Sequence, residues 1–64
     1  MQDNRDLKIE RERAGVTQEQ LAEQLHVSQA IVSLFERGLR EDLVDGRGRE
    51  EYRAALLELA QVKS

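Results

Sequence analysis

Two helical patterns that lie almost end to end are the feature that most constrains the fold of this 64-residue chain. They fill the stretch "TQEQLAEQLHVSQAIVSLFERG", residues 17–38, and only "LHVS" lies between them. A break this short cannot form an independent loop, so the two helices must cross at a fixed angle. Thr17 and Gln20 have the spacing of a capping box, and Ser28 is a favourable N-cap for the following helix. The sequence therefore predicts a rigid helical pair.

Apolar residues at helical spacing extend this pattern to both sides. A first helix is predicted from about Asn4 to Ala14, with Gly15 as a left-handed stop, and a last helix from about Glu50 to Val62. Between them the pattern weakens, and Leu39, Leu43 and Val44 are expected to form one short helical turn followed by an exposed loop, "DGRGR". The predicted core residues are Leu7, Ala14, Leu21, Ala22, Leu25, Ile31, Val32, Phe35, Tyr52, Leu56, Leu59 and Ala60. The sequence predicts an all-α fold of four or five helices.

Composition limits the kind of protein that this chain can be. Residues 1–64 are too few for more than one domain, and no apolar run has the length of a signal peptide or a membrane span. The absence of cysteine excludes disulfides and thiolate metal sites, and fits a cytoplasmic protein. The net charge of −3 counts against bulk attraction to nucleic acid, so any binding of DNA must depend on local charge.

The residues needed for catalysis are not arranged for it. The single histidine, His26, lies in the turn between the paired helices, and no glycine-rich loop precedes a helix with phosphate-binding spacing. The carboxylates have the i,i+4 spacing of solvated helices. We therefore expect no enzyme activity, no metal or cofactor, and no small-molecule ligand.

Residues 18–37 resemble the helix-turn-helix of the phage-repressor (Cro-like, XRE-type) DNA-binding family. The resemblance rests on Gln18 at the helix start, on "ERG" at the end, and on the positions Leu21, Ala22, Leu25, Val27, Val32 and Phe35. It implies a repressor-like domain that places the second helix of the pair in the major groove of an operator. The chain departs from the family at His26, where glycine is usual, and after Gly38, where the connecting segment is longer.

The resemblance implies that the outward positions of the second helix contact base edges. These are Ser28, Gln29, Ala30, Ser33 and Leu34. Gln29 can pair with N6 and N7 of adenine, and Ala30 can contact only apolar groups such as a thymine methyl. An outward Leu34 can equally contact a partner protein.

Four other residues are expected to contact phosphates: Thr17, Gln18, Arg37 and Arg40. On this reading, replacing Gln18 weakens binding to every DNA sequence alike, whereas replacing Gln29 affects one base pair. The "RGR" of residues 47–49 also resembles a minor-groove motif, but the adjacent glutamates favour a solvated loop.

The resemblance further suggests an ion pair between Arg11 and Glu36, which would link the first helix to the end of the recognition helix. A single small domain makes few base contacts, so a homodimer on a two-fold symmetric operator is expected, with Ile9 and Leu57 as candidate interface residues. The alternative is a repressor-like fold that serves as a protein-interaction module, for example as an antagonist of another regulator. The acidic balance of the chain favours this alternative.

Overall fold

Four helices make up the regular structure of the described residues, 4–44 and 46–63, in the computed structural model. They are α1 (Arg5–Arg13), α2 (Gln18–Leu25), α3 (Gln29–Glu36) and α4 (Arg49–Lys63). The predicted all-α class is confirmed, and α4 begins and ends within one residue of the expected positions. Asp45, which belongs to the predicted exposed loop, lies outside the described residues.

Local capping chemistry determines where the helices begin and end. The hydroxyl of Thr17 accepts a hydrogen bond from the amide N–H of Gln20 at 3.1 Å, and the Gln20 side chain accepts one from the Thr17 amide N–H at 3.0 Å. Ser28 caps α3 by accepting from the amide N–H of Ile31 at 3.4 Å. Gly15 has φ 73°, the left-handed conformation expected at this stop. The predicted caps are confirmed.

The turn between α2 and α3 places a histidine where glycine is easier to accommodate. His26 has φ 61°, and it is the single non-glycine residue with positive φ among the described residues. For a side chain with a Cβ this conformation costs about 1 kcal/mol or more. The turn is nevertheless closed, because the N–H of Val27 donates to the carbonyl of Ala22 at 3.0 Å.

The core lies between α2 and its two neighbours, α3 and α4, with α1 closing one side. Tyr52 and Phe35 are its largest fully buried side chains, and their rings stack with centroids 6.0 Å apart. All of the predicted core residues are buried or half-buried. Val16, Leu43 and Ala55 complete the core, although the helical pattern did not assign them to its interior.

The segment between α3 and α4 corrects one prediction. Residues 39–44 and 46–48 form no helical turn; instead Val44 and Arg47 pair as an isolated antiparallel bridge, with N···O distances of 3.2 and 2.8 Å. Leu43 is buried, whereas Leu39 is 64% exposed. The Asp-Gly pair at positions 45–46 is a turn signal that favours this bridge over a helix.

Gly48, which lies between two arginines in the sequence, packs closely against the ring of Phe35. A Cβ atom at this position would lie 2.8 Å from a ring carbon of Phe35, closer than real Cβ contacts come. Glycine therefore lets the chain pass directly over the core before α4 begins. Packing is sufficient to explain the glycine of the "RGR" sequence.

Candidate nucleic-acid interface

The recognition helix, α3, presents a mostly polar outward surface at its N-terminal end. Ser28, Gln29 and Ala30 are exposed, Leu34 is 36% exposed, and Ser33 is half-buried. Four of the five residues expected to contact bases therefore share an accessible side of the helix, and Ser33 lies at its edge. The inward side packs into the core through Val32 and Phe35.

The other end of α3 is held by one buried carboxylate, that of Glu36, which is 2% exposed. Arg11 donates to it through Nε at 2.8 Å and through a terminal nitrogen at 3.3 Å. Gln18 Nε2 donates to Oε1 at 2.9 Å, and the Tyr52 hydroxyl donates to Oε2. These donors come from α1, α2 and α4, so a single side chain joins the recognition helix to the three other helices. We call Arg11, Gln18, Glu36 and Tyr52 the carboxylate cluster.

Each guanidinium nitrogen of the arginine in this cluster donates a hydrogen bond. Besides its two bonds to Glu36, Arg11 donates from its other terminal nitrogen to the carbonyl of Val16 at 2.8 Å. Arg11 and Glu36 thus form a buried ion pair that is joined by two hydrogen bonds. No buried side-chain nitrogen or oxygen in the described part of the chain lacks a hydrogen-bond partner. This completeness is the condition under which a buried ion pair is tolerated.

The cluster shifts the pKa values of its members in directions that keep the ion pair charged. Burial would raise the pKa of Glu36, but the hydrogen bonds from Arg11, Tyr52 and Gln18 outweigh it and hold that pKa below its ordinary value. Burial would lower the pKa of Arg11, and its bonds to Glu36 raise it instead. Burial and the adjacent carboxylate raise the pKa of Tyr52, so its hydroxyl remains a donor.

Gln18 is the residue through which this buried cluster reaches the candidate interface. Its side chain is half-buried; while Nε2 faces Glu36, Oε1 lies 3.5 Å from Nε2 of Gln29. A distance of 3.5 Å is the long end of the hydrogen-bond range. The sequence predicts separate contacts for the two glutamines, whereas the structure places their amides side by side.

The four residues expected to contact phosphate differ in how free their polar groups are. Thr17 is exposed, and its capping bond uses the hydroxyl as an acceptor, which leaves the hydroxyl hydrogen available. Gln18 retains one N–H beyond its bond to Glu36. Arg37 is exposed at the end of α3. Arg40 is partly engaged, since its Nε donates to the backbone carbonyl of Asp42 at 2.8 Å.

The two arginines of "RGR" are both paired within the chain. Arg47 lies 3.6 Å from Glu51, and Arg49 lies 2.6 Å from Asp6. Arg49 also donates to the side-chain oxygen of Asn4 at 2.8 Å. These contacts favour a structural role over one in the minor groove.

Asn4 and Tyr52 support the interface, but the sequence analysis did not assign them to it. The Asn4 side chain donates to the carbonyl of Phe35 at 2.8 Å, and its backbone N–H donates to the carbonyl of Glu36 at 3.3 Å. It thereby caps the C-terminal end of α3. A buried asparagine before α1 is the kind of signal that could have indicated this, but its partner lies 31 positions away.

Exposed apolar residues lie away from the interface as well as beside it. Ile9 is 45% exposed and Leu57 is 63% exposed, as expected for residues outside the core. Leu57 borders a shallow groove between α1 and α4 that is lined by Glu10, Ala14, Arg53, Leu56, Leu57 and Ala60. Ile9 is not among the residues that line this groove.

This arrangement, a tightly turned helix pair whose second helix presents an exposed polar end, defines a helix-turn-helix domain. A family model described as "Helix-turn-helix domain" matches residues 5–62, and the chain belongs to this family. Membership indicates a DNA-binding regulator. Searches of curated proteins and of solved structures gave no match.

Two further observations concern other kinds of function. No helix within residues 4–44 and 46–63 is long and apolar enough to cross a membrane. Over the same residues, no three His, Cys, Asp or Glu side chains come together as a metal site requires.

Proposed function

We propose that this protein is a sequence-specific regulator of transcription that binds double-stranded DNA, a cytoplasmic repressor of the phage-repressor type that occupies an operator through α3. One observation carries the proposal. The exposed N-terminal end of α3 is held in a fixed orientation by the carboxylate cluster, which secures the other end of the helix to the three remaining helices. A rigid, exposed helix end with adaptable polar side chains is what readout of the major groove requires.

Contacts to phosphate complete this binding mode. In the proposed complex, Thr17 and Gln18 at the start of α2 and Arg37 at the end of α3 contact the backbone on either side of the groove. Their hydrogen-bond donors are available in the free protein, and the N-terminus of a helix favours a phosphate. Arg40 can take part through its terminal nitrogens while its Nε stays bonded to Asp42. Because the net charge is −3, these local donors must supply the attraction.

The proposed assembly is a homodimer on a two-fold symmetric operator. Leu57 and the groove beside it supply an apolar surface, and Ile9 is a second exposed apolar residue. Sedimentation at increasing protein concentration tests this: the parent should dimerise, and Leu57→Glu should shift it towards monomer. A parent that is monomeric with and without DNA would contradict the symmetric-operator model.

The second candidate function is that of a protein-interaction module. It is favoured by the negative net charge and by exposed leucines beside the candidate interface, Leu34 and Leu39. Salt separates the two candidates. Binding to an operator weakens steeply as salt is added because counterions are displaced from DNA, whereas an apolar protein interface responds little.

Selection from a pool of random duplexes, followed by binding titrations, tests the proposed readout. Gln29→Ala should weaken binding to the selected site by about 1–3 kcal/mol, relax discrimination at one base pair, and change binding to scrambled DNA little. Gln24→Ala is the matched control, since Gln24 also lies on an exposed surface but contacts Glu58 of α4. If Gln29→Ala binds both duplexes as the parent does, α3 does not read DNA in this way.

A further inference from the structure

The carboxylate of Glu36 determines which way round the amide of Gln18 lies. An ionised carboxylate can only accept hydrogen bonds, so the NH2 group of Gln18 must be the end that faces it. The 2.9 Å contact between Gln18 Nε2 and Glu36 Oε1 has this arrangement. The Gln18 oxygen consequently points the other way, toward the surface of the recognition helix.

The same reasoning applies to the next amide. The Gln18 oxygen is an acceptor, so the group of Gln29 that faces it at 3.5 Å must be the NH2 group. Gln29 is exposed and has no other bond to the described residues that would orient its amide. Its orientation in the free protein therefore depends on Gln18, and through Gln18 on Glu36.

We propose that Glu36 is a specificity-determining positioning residue: its charge fixes the direction of two successive amides, and thereby the order in which Gln29 presents its acceptor and its donor to a base pair. This inference rests on the proposed function, because it assigns the origin of a base preference. Glu36 is buried and acts only through Gln18.

The order matters because adenine is read by an ordered pair of bonds. Adenine presents N6 as a donor beside N7 as an acceptor, so the amide of Gln29 must place its oxygen at N6 and its N–H at N7. The NH2 group of Gln29 has two N–H bonds, so one can point to Gln18 while the other donates to N7 of adenine. A reversed amide would place oxygen against N7 and NH2 against N6, and both contacts are repulsive.

Glu36→Gln tests the proposal because it should reverse the orientation of the side-chain amides of Gln18 and Gln29. The Oε2 position accepts from Arg11 Nε and from the Tyr52 hydroxyl, whereas the Oε1 position accepts the longer Arg11 contact of 3.3 Å and the bond from Gln18, whose amide can turn. We therefore expect the oxygen of the new glutamine at the Oε2 position. Its NH2 group then faces Gln18, which must turn its oxygen inward and its NH2 group toward Gln29. In a selection from random duplexes, we expect the preference for adenine at the Gln29 position to fall by about tenfold.

Gln18→Glu combined with Glu36→Gln is the matched restoration. The carboxylate at position 18 accepts from the glutamine at position 36 and again offers an oxygen to Gln29, and the net charge returns to that of the parent. We expect the base preference of the parent to return, even though a carboxylate near phosphate weakens binding to all sequences alike. A double variant with the altered preference of the single one would overturn the proposal.

Gln18→Met decides the matter if Glu36→Gln fails to fold, because position 18 is half-buried and methionine has a similar shape. Without the Gln18 oxygen, Gln29 can adopt both orientations, so the preference for adenine should fall by several fold. An undiminished preference in this variant would overturn the proposal. If Gln29→Ala also retains the preference, the proposed readout itself has failed; if only Gln18→Met retains it, the failure is confined to the positioning role.

Discussion

Among the ion pairs that connect α1 to other helices, two have similar lengths but very different surroundings. In the first, Arg11 and Glu36 lie 2.8 Å apart with side chains that are 9% and 1% exposed. In the second, Arg49 and Asp6 lie 2.6 Å apart with side chains that are 44% and 53% exposed. The shorter pair is about half exposed to solvent, and the longer one is buried in the core. Distance therefore says little about how much each pair contributes to stability.

The surroundings make the difference. Together, the two oxygens of Glu36 accept hydrogen bonds from three helices. Loss of any one partner therefore leaves a buried charged or polar group without a hydrogen-bond partner. The hydrogen bond from Arg49 lowers the pKa of Asp6, yet water can replace this bond as soon as it breaks. Substitutions in the two pairs should therefore differ in how much they lower stability.

Removing one member of the buried pair should be the most destabilising change. Arg11→Met leaves a buried carboxylate and Glu36→Leu leaves a buried guanidinium, and each should lower the free energy of unfolding by about 3–5 kcal/mol. The double variant should recover much of this loss, since neither charge remains. Urea denaturation at neutral pH measures all three. If the single variants have the same free energy of unfolding as the parent, the pair does not contribute to stability.

Tyr52→Phe should have an intermediate effect. It keeps the ring that stacks on Phe35 and removes only the hydroxyl, which donates to a charged acceptor and whose loss should lower the free energy of unfolding by about 1.5 kcal/mol. The control is the same change in the Glu36→Leu background, where the hydroxyl has lost its acceptor. If Tyr52→Phe is equally destabilising in both backgrounds, the hydroxyl acts through something other than Glu36.

Acid should weaken the fold through the buried pair. The pKa of Glu36 is lower in the folded protein than in the unfolded chain, where a glutamate titrates at about pH 4.3. Between the folded and the unfolded pKa, the unfolded chain binds the proton more readily than the folded protein does. The stabilisation is present above this window and is lost as the pH falls through it. Thermal melts between pH 3 and 6 should show a declining melting temperature. The double variant Arg11→Met/Glu36→Leu should decline less over the same range.

Asp6→Asn should have the smallest effect. It removes a carboxylate that pairs with Arg49 and, at 3.9 Å, with Arg53, and all three side chains are about half exposed. The melting temperature should therefore fall slightly at low salt and should match the parent at 1 M salt, where screening is strong. Melts at both salt concentrations test this. A fall in melting temperature as large as that of Tyr52→Phe, or one that salt does not reduce, would show that this pair stabilises the fold despite its exposure.

How far each feature could be read from the sequence depends on how local its cause is. The caps at Thr17 and Ser28 each satisfy a backbone group three residues away, so a short pattern is sufficient to predict them. The pair of Arg11 and Glu36 was suggested only by resemblance to a family. The bond between Tyr52 and Glu36 joins residues 16 positions apart on different helices, and no periodic pattern contains that information.

The incorrect prediction has a comparable cause. Leu39, Leu43 and Val44 have helical spacing, but the Asp-Gly pair that follows favours a tight turn, and Val44 pairs with Arg47 across it. The inward bond of Gln18 was missed because glutamine at a helix start is usually solvated. Only the placement of Glu36 makes it a partner.

The convergence of three donors on Glu36 also has a consequence for the way the domain unfolds. These donors lie 25, 18 and 16 positions away along the chain, so none of the four helices can detach without disturbing the same buried carboxylate. Partial unfolding of any helix near the cluster therefore exposes the whole of it, which makes intermediates unfavourable. We expect the amide protons of all four helices to exchange with solvent through one common opening, in the single cooperative transition that is usual for small domains.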